Sequence, residues 1–174
     1  MKALRYAMYW VATRCIWRDD CPREMLQNGR PPDPDFAGDE LLYHRCLKEW
    51  VDEDQKILPA YVHFPDQSVN RSKYSRPWHV LVPDGAKGSA EWIYWGIART
   101  TVSAIPGPIE TSGGVPYSFS VEHDPLQRNF GHSELSAYKN GIRERNKNKI
   151  NELVKKRYRQ LLSEQTRVIL SPEI

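Results

Sequence analysis

Residues 92–105 read Trp92-Ile93-Tyr94-Trp95-Gly96-Ile97-Ala98-Arg99-Thr100-Thr101-Val102-Ser103-Ala104-Ile105. Aromatic and β-branched side chains dominate this run, and they suit a pleated, half-buried surface better than a helix. A strand is expected here, and a strand needs partners. Ala60–Phe64, Trp78–Val82 and Val115–Glu122 carry the same signature and are separated by turn formers such as Pro83-Asp84-Gly85. The segment from Ile105 through Pro116 contains Gly107, Gly113, Gly114 and three prolines, a composition that predicts a long loop joining two neighbouring strands. One antiparallel or mixed sheet follows.

The flanks read differently. Leu4, Met8, Val11 and Cys15 recur at helical spacing, which predicts a short N-terminal helix over residues 1–17. The stretch from Asn28 to Gly38, NGRPPDPDFAG, excludes helix through its prolines and reads as a linker. Asp39 is a plausible N-cap for a helix over Glu40–Val51, with a strand through Leu42–Cys46 as the alternative. From Ser136 or Asn140 to about Gln165, Ile142, Ile150, Leu153, Val154, Tyr158, Leu161 and Leu162 step by threes and fours among Lys and Arg. That pattern predicts one long, basic, amphipathic C-terminal helix. The expected architecture is α+β: residues 1–137 as the sheet-bearing domain, and residues 138–174 as a basic helix and tail packed on the same domain.

The chain has 174 residues, 25 Lys+Arg against 22 Asp+Glu, and a net charge of +3. Its 40% hydrophobic content supports a packed core rather than disorder. The total conceals a split: residues 138–174 hold 10 basic and 4 acidic side chains, net +6, which leaves −3 for the rest. A uniformly basic nucleic-acid protein is excluded; a local basic surface is not. Tyr6–Thr13 is short, aromatic and followed by Arg14, unlike a secretory signal, and no run approaches the roughly 18 apolar residues of a membrane span. A cytoplasmic protein without a membrane partner is expected. Cys15, Cys21 and Cys46 are an odd number, too few for a disulfide framework. With His44 they form a chemically complete zinc set, but Cys15 and Cys21 are six apart, against the tight C-x(2–4)-C pairs of structural sites. Neither metal nor cofactor is expected.

The densest polar cluster is His123-Asp124-Pro125-Leu126-Gln127-Arg128-Asn129-Phe130-Gly131-His132-Ser133-Glu134. His123 and His132 are candidates for an acid and a base, because imidazole titrates near neutrality, with Asp124 or Glu134 fixing a tautomer. The plain alternative is a turn begun by Asp124-Pro125, with Ser133 capping the last helix. A second cluster, Gln67 to Arg76, offers Arg71 as a phosphate ligand, with Lys73, Tyr74 and Arg76 as partner-binding or base-stacking groups. On the expected C-terminal helix, Lys155, Lys156, Arg157 and Arg159 are candidates for a phosphate backbone or an acidic protein.

Leu42-Tyr43-His44-Arg45, Gln67-Ser68-Val69-Asn70-Arg71 and Val121-Glu122-His123-Asp124-Pro125, followed by Asn129, His132 and Glu134, together resemble a group of small prokaryotic proteins. That group carries Y-R-R, S-V-D-R and V-H-D-P…N-x-x-H elements. The match spans roughly residues 41–135 and departs at His44 and Asn70. The resemblance implies a bacterial cytoplasmic setting among accessory proteins of mobile, toxin–antitoxin or phage-defence loci, and no particular reaction. The expected function is therefore an accessory or adaptor protein of a prokaryotic multi-component system. Its macromolecular partner is another protein first, with RNA or DNA through the basic helix as the other choice. The alternative function is a small histidine-dependent hydrolase or transferase acting on nucleotides or nucleic acid.

Overall fold

The computed structural model describes residues 23–81 and 94–171. The expected N-terminal helix, Cys15, Cys21, Trp92 and the turn at Pro83 lie outside them. Seven strands form one antiparallel sheet: β1 (Leu41–Cys46), β2 (Gln67–Arg71), β3 (Gly96–Thr101), β4 (Tyr117–His123), β5 (His132–Lys139), β6 (Ile142–Arg143) and β7 (Arg167–Leu170). Their order is β4-β5-β2-β1-β3-β7, and β6 pairs with β5. Among the described residues two α-helices, α1 (Pro77–Val80) and α2 (Glu152–Glu164), accompany it. The α+β reading holds in this coarse form. None of the helices is long and apolar enough to cross a membrane among the described residues.

The run that announced a sheet supplies its strand β3 over Gly96–Thr101, laddered to β1 from Leu41↔Thr101 to Cys46↔Gly96. Gly96 is there because its neighbours leave no room for a side chain. A Cβ would sit 2.7 Å from the Leu170 carbonyl oxygen and 3.4 Å from Cys46 Sγ. Gly96→Ala must push β7 away from β3, an overpacking that costs about 1–3 kcal/mol. Hydrogen exchange should then speed up in β7 before the rest of the sheet; uniform protection would contradict this.

Residues 40–51 form no α-helix. They form β1 and a 3-10 turn at Lys48–Trp50, because β1 lies between two strands and is covered on both faces. Leu42, Tyr43, His44 and Cys46 are all buried, and such a run has no period to read. Of the expected strands, Val115–Glu122 becomes β4. Ala60–Phe64 instead begins in a 3-10 turn at Pro59–Tyr61, and the described part of Trp78–Val82, which ends at Leu81, gives way to α1, which opens on Pro77 at its first position. Trp95 packs, half-buried, against the core.

The long basic helix is the largest correction. Only Glu152–Glu164 is helical, thirteen residues, with Asn151 as N-cap accepting from the Leu153 N–H at 2.8 Å. Asn140 and Gly141 both have positive φ, 52° and 74°, and turn β5 back into β6. Asn-Gly is the commonest two-residue hairpin turn, because both residues tolerate that backbone. The boundary at residue 137 falls inside β5, and β7 closes the far edge of the sheet on β3, so the C-terminal part is woven into the body.

Alternation along the paired strands puts Leu42, Val69, Ala98 and Leu135 on one face. There α2 lays Val154, Tyr158 and Leu162 over them, and Tyr158 meets Phe64 and Phe119 at ring-centroid distances of 4.7 and 4.6 Å. A smaller cluster of Tyr43, Ile97, Leu170, Val80 and Leu81 lies on the opposite face near α1. Towards β4 and β5 that second face turns polar, with Ser68, His132 and Glu134.

Candidate functional site

The predicted site residues divide into two environments. At one end of the sheet the 30–40 segment, read as a linker, is strapped across the strands by Arg71. This side chain is completely buried. Its Nε and Nη2 each donate to a Glu40 carboxylate oxygen at 2.9 Å, its Nη1 donates to the Asp33 carbonyl at 2.7 Å, and Nη2 also reaches the Asp35 carbonyl. The guanidinium stacks on Phe36, 3.8 Å from the ring centroid. Nη1 also faces Asp33 Oδ2 at 3.3 Å, so no donor remains for a phosphate. Lys73 and Tyr74 both donate to Asp33 Oδ2, which holds the Asp33 carboxyl well below the usual carboxylate range. Tyr74 is packed between His123, stacked at 5.4 Å, and Phe130 at 4.7 Å, so a base cannot stack between them. Arg76 faces solvent at the start of α1.

His123 belongs to the same network. Its Nε2 faces the Phe130 carbonyl and so carries the proton, while Nδ1 accepts the Asp33 N–H at 2.7 Å. Burial pushes its pKa down, against a partial lift from the Phe130 bond. The ring is a fixed neutral brace with no lone pair to spare, which removes it as a mobile acid or base. His132, one strand over on β5, differs. Its Nδ1 donates to the Asp124 carbonyl at 2.6 Å, and Nε2 is 3.3 Å from Ser68 Oγ. The contact from Asp124 to His132 is made by its backbone oxygen, not by the carboxylate that the sequence offered for that role. Ser133 caps nothing; it is buried in β5.

The C-terminal cations are less available than their number suggests. Arg143 is held by Asp66 at 2.8 Å, Glu122 at 3.0 Å and Glu134. Lys155 is buried against Glu152, and Arg159 donates from Nε to the Val62 carbonyl at 3.1 Å. Lys156 and Arg157 remain exposed, near in sequence to the exposed Arg145, Lys147 and Lys149.

Sequence reasoning missed the cleft that opens between β1 and β2. Their ladder consists of Leu42↔Arg71 and Tyr43↔Asn70, after which β1 continues with β3 to Cys46 and β2 continues with β5 to Gln67. The two strands diverge, and the wedge between them encloses about 230 Å³. Trp50 is the hub of its wall: Tyr61 stacks on it at 5.7 Å and 13°, while His63 and Tyr94 meet it edge-on at 5.7 and 6.4 Å. Arg45 extends over the Tyr94 ring, 5.1 Å from its centroid, with no carboxylate at ion-pair distance among the described residues. Asp66, Ser68 and the buried His44 and Gln67 complete the lining. No ring nitrogen of His44 has a hydrogen-bond partner among the described residues, and its burial pushes its pKa down to about 4. The imidazole is neutral at pH 7.

His44 and Cys46 share a face of β1, but burial pushes the Cys46 thiol up to about 12, and no cluster of metal-ligating side chains forms among the described residues. Comparison with family models, with curated proteins and with solved structures finds no match to this chain.

Proposed function

We propose that this is an accessory protein of a prokaryotic multi-component system that holds a macromolecular partner by inserting one planar group of that partner into the Trp50 cleft. The observation that carries the reading is the cleft itself. Ligand pockets that swallow a whole small molecule enclose about 300–1,000 Å³, and this one, at about 230 Å³, suits a single ring or side chain. An aromatic wall beside Arg45, which has no carboxylate at ion-pair distance among the described residues, fits a flat group next to a negative charge. Arg over an aromatic ring and exposed Tyr, here 38% accessible at Tyr61, are typical anchors of interfaces. A protein segment carrying an aromatic side chain beside a carboxylate is the favoured partner, because the exposed cations Arg145, Lys147, Lys149, Lys156 and Arg157 form no groove with the stacking rings.

The test is capture from lysate of the source organism with wild type, Trp50→Ala and a Lys156→Ala/Arg157→Ala control, reading protein by mass spectrometry and nucleic acid after nuclease treatment. One protein retained by wild type and the control, and reduced at least about tenfold by Trp50→Ala, is expected for loss of a central anchor. Material that survives Trp50→Ala unchanged, or that disappears only with nuclease, overturns the reading.

A further inference from the structure

We propose that Ser68 is a nucleophile, with His132 as its general base, and that the β1–β2 cleft therefore performs acyl transfer on a carboxylic ester in addition to any partner binding. Four observations meet at this point. The Asp124 carbonyl can only accept a hydrogen bond, so the His132 Nδ1 that it faces at 2.6 Å must carry the proton. The lone pair is then on Nε2, which points at Ser68 Oγ from 3.3 Å. A second bond, from the Asp124 N–H to the His132 carbonyl at 3.1 Å, ties the same two residues together through the backbone, so the ring is oriented from both sides. His132 itself is buried, only 7% accessible, whereas Ser68 is exposed and lines the cleft.

This is the arrangement an activated serine requires: a hydroxyl open to substrate, a base in the acceptor tautomer, and a third group that fixes that tautomer. His123, opposite Ser133 in the same hairpin, lacks it because both of its nitrogens are engaged. The distance of 3.3 Å is loose, as such bonds are before substrate closes on them. Arg45 comes from the β1 side of the wedge and Ser68 from the β2 side. Both line the cleft, so the guanidinium is placed to balance an oxyanion, and the Trp50 wall to hold the planar part of the acyl or alcohol group.

The chemistry closes without a further reagent. Ser68 Oγ forms a bond to the ester carbonyl carbon as its proton passes to His132 Nε2. The bond from that carbon to the leaving oxygen breaks, and the alcohol departs with the proton from Nε2. Water then attacks the acyl-serine, gives its proton to Nε2, and the acid leaves as Ser68 Oγ is reprotonated. The sum is ester plus water giving acid plus alcohol.

The experiment is covalent labelling of the full chain with a fluorophosphonate, followed by intact mass and peptide mapping. One phosphonyl adduct at Ser68 is expected, absent in Ser68→Ala and formed about 10²- to 10⁴-fold more slowly in His132→Gln, the usual contribution of a general base. Because a buried histidine is altered, circular dichroism of His132→Gln is compared first. The pH dependence of labelling in the unaltered protein provides an independent arm: the rate should level off above one ionisation rather than climb with hydroxide throughout. No adduct at Ser68, equal labelling of several hydroxyls, an unchanged rate in His132→Gln, or a rate first order in hydroxide would each overturn the proposal. Partner capture that depends on Trp50 beside an inert Ser68 would leave the binding function standing and remove the acyl chemistry alone.

Discussion

Arg71→Met is expected to lower the unfolding free energy by about 3–5 kcal/mol, the loss seen when one partner of a buried ion pair is deleted. Domains of this kind hold roughly 5–15 kcal/mol in total, so much of the population would unfold on mild heating. The cause is not the missing side chain so much as what it leaves behind. Glu40 keeps a carboxylate that is only 7% accessible, and the carbonyls of Asp33 and Asp35 lose the donor that pinned the 30–40 segment to the sheet. Pairing Arg71→Met with Glu40→Leu should recover part of the loss, because the second change removes the stranded charge. Urea denaturation of the two variants checks this. A phosphate-binding Arg71, the role expected from sequence, predicts the opposite pattern: near-normal stability and lost ligand affinity. A loss below about 1 kcal/mol, the range of ordinary surface changes, would show that the guanidinium is dispensable to the fold.

Acidification from pH 6.5 to about 4 is expected to cost on the order of 3 kcal/mol through His44 alone, at about 1.4 kcal/mol for each unit of pKa displacement. The sign follows from burial. Unfolded, the imidazole takes a proton below its ordinary value of 6.5; folded, it resists until about 4, because desolvation disfavours the cation and His63 adds a smaller repulsion. The neutral ring's contribution is thus complete above pH 6.5 and is lost as pH falls through the folded value. His123, also pushed down by burial, acts in the same direction. Asp33 acts later: its depressed carboxyl contributes stability above the ordinary carboxylate range, and this is lost only as the pH drops below it. Melting temperature measured against pH should therefore fall first between 6.5 and 4, and His44→Leu should flatten that step. An unchanged slope in His44→Leu would assign the step elsewhere.

These two groups show where reading the chain stopped. The sheet was legible at Gly96–Thr101, within the β-rich run from Trp92 to Ile105 that ends in a 3-10 turn at Val102–Ala104, and at Tyr117–Glu122, because those stretches are rich in β-formers. β1 was half-hidden, since a strand covered on both faces has no alternation. β2 and β5 were hidden by their polar letters: Gln67-Ser68-Val69-Asn70-Arg71 looks like a solvated loop until Arg71 is seen inside the fold and Ser68 over a cleft. Asn140-Gly141, where the expected helix was to begin, is itself a hairpin turn signal, and the helical spacing of Ile142, Ile150 and Leu153 runs across it. In the structure Ile142 and Leu153 are exposed, at 74% and 73%, so two of the residues that suggested the stripe never pack.

The charge split shared that fate. Net +6 in the last 37 residues is a property of composition, but Arg143, Lys155 and Arg159 are turned inward by partners distant or near in sequence. The sequence by itself determined the α+β class, a loop over 105–116 and the absence of helix from 28 to 38 among the described residues; it did not show that this loop, expected to join neighbouring strands, crosses from β3 to β4 at the other edge of the sheet. Only the tertiary structure decided what the 67–76 and 123–134 clusters do. Whether an arginine meets a phosphate or a buried glutamate, and whether a histidine braces a loop or faces a serine, depends on which groups its ring or fork can reach. Those groups lie 31 residues away for Arg71 and Glu40, and 64 for His132 and Ser68. Spacing along the chain carries no record of such pairs until the strands are laid side by side.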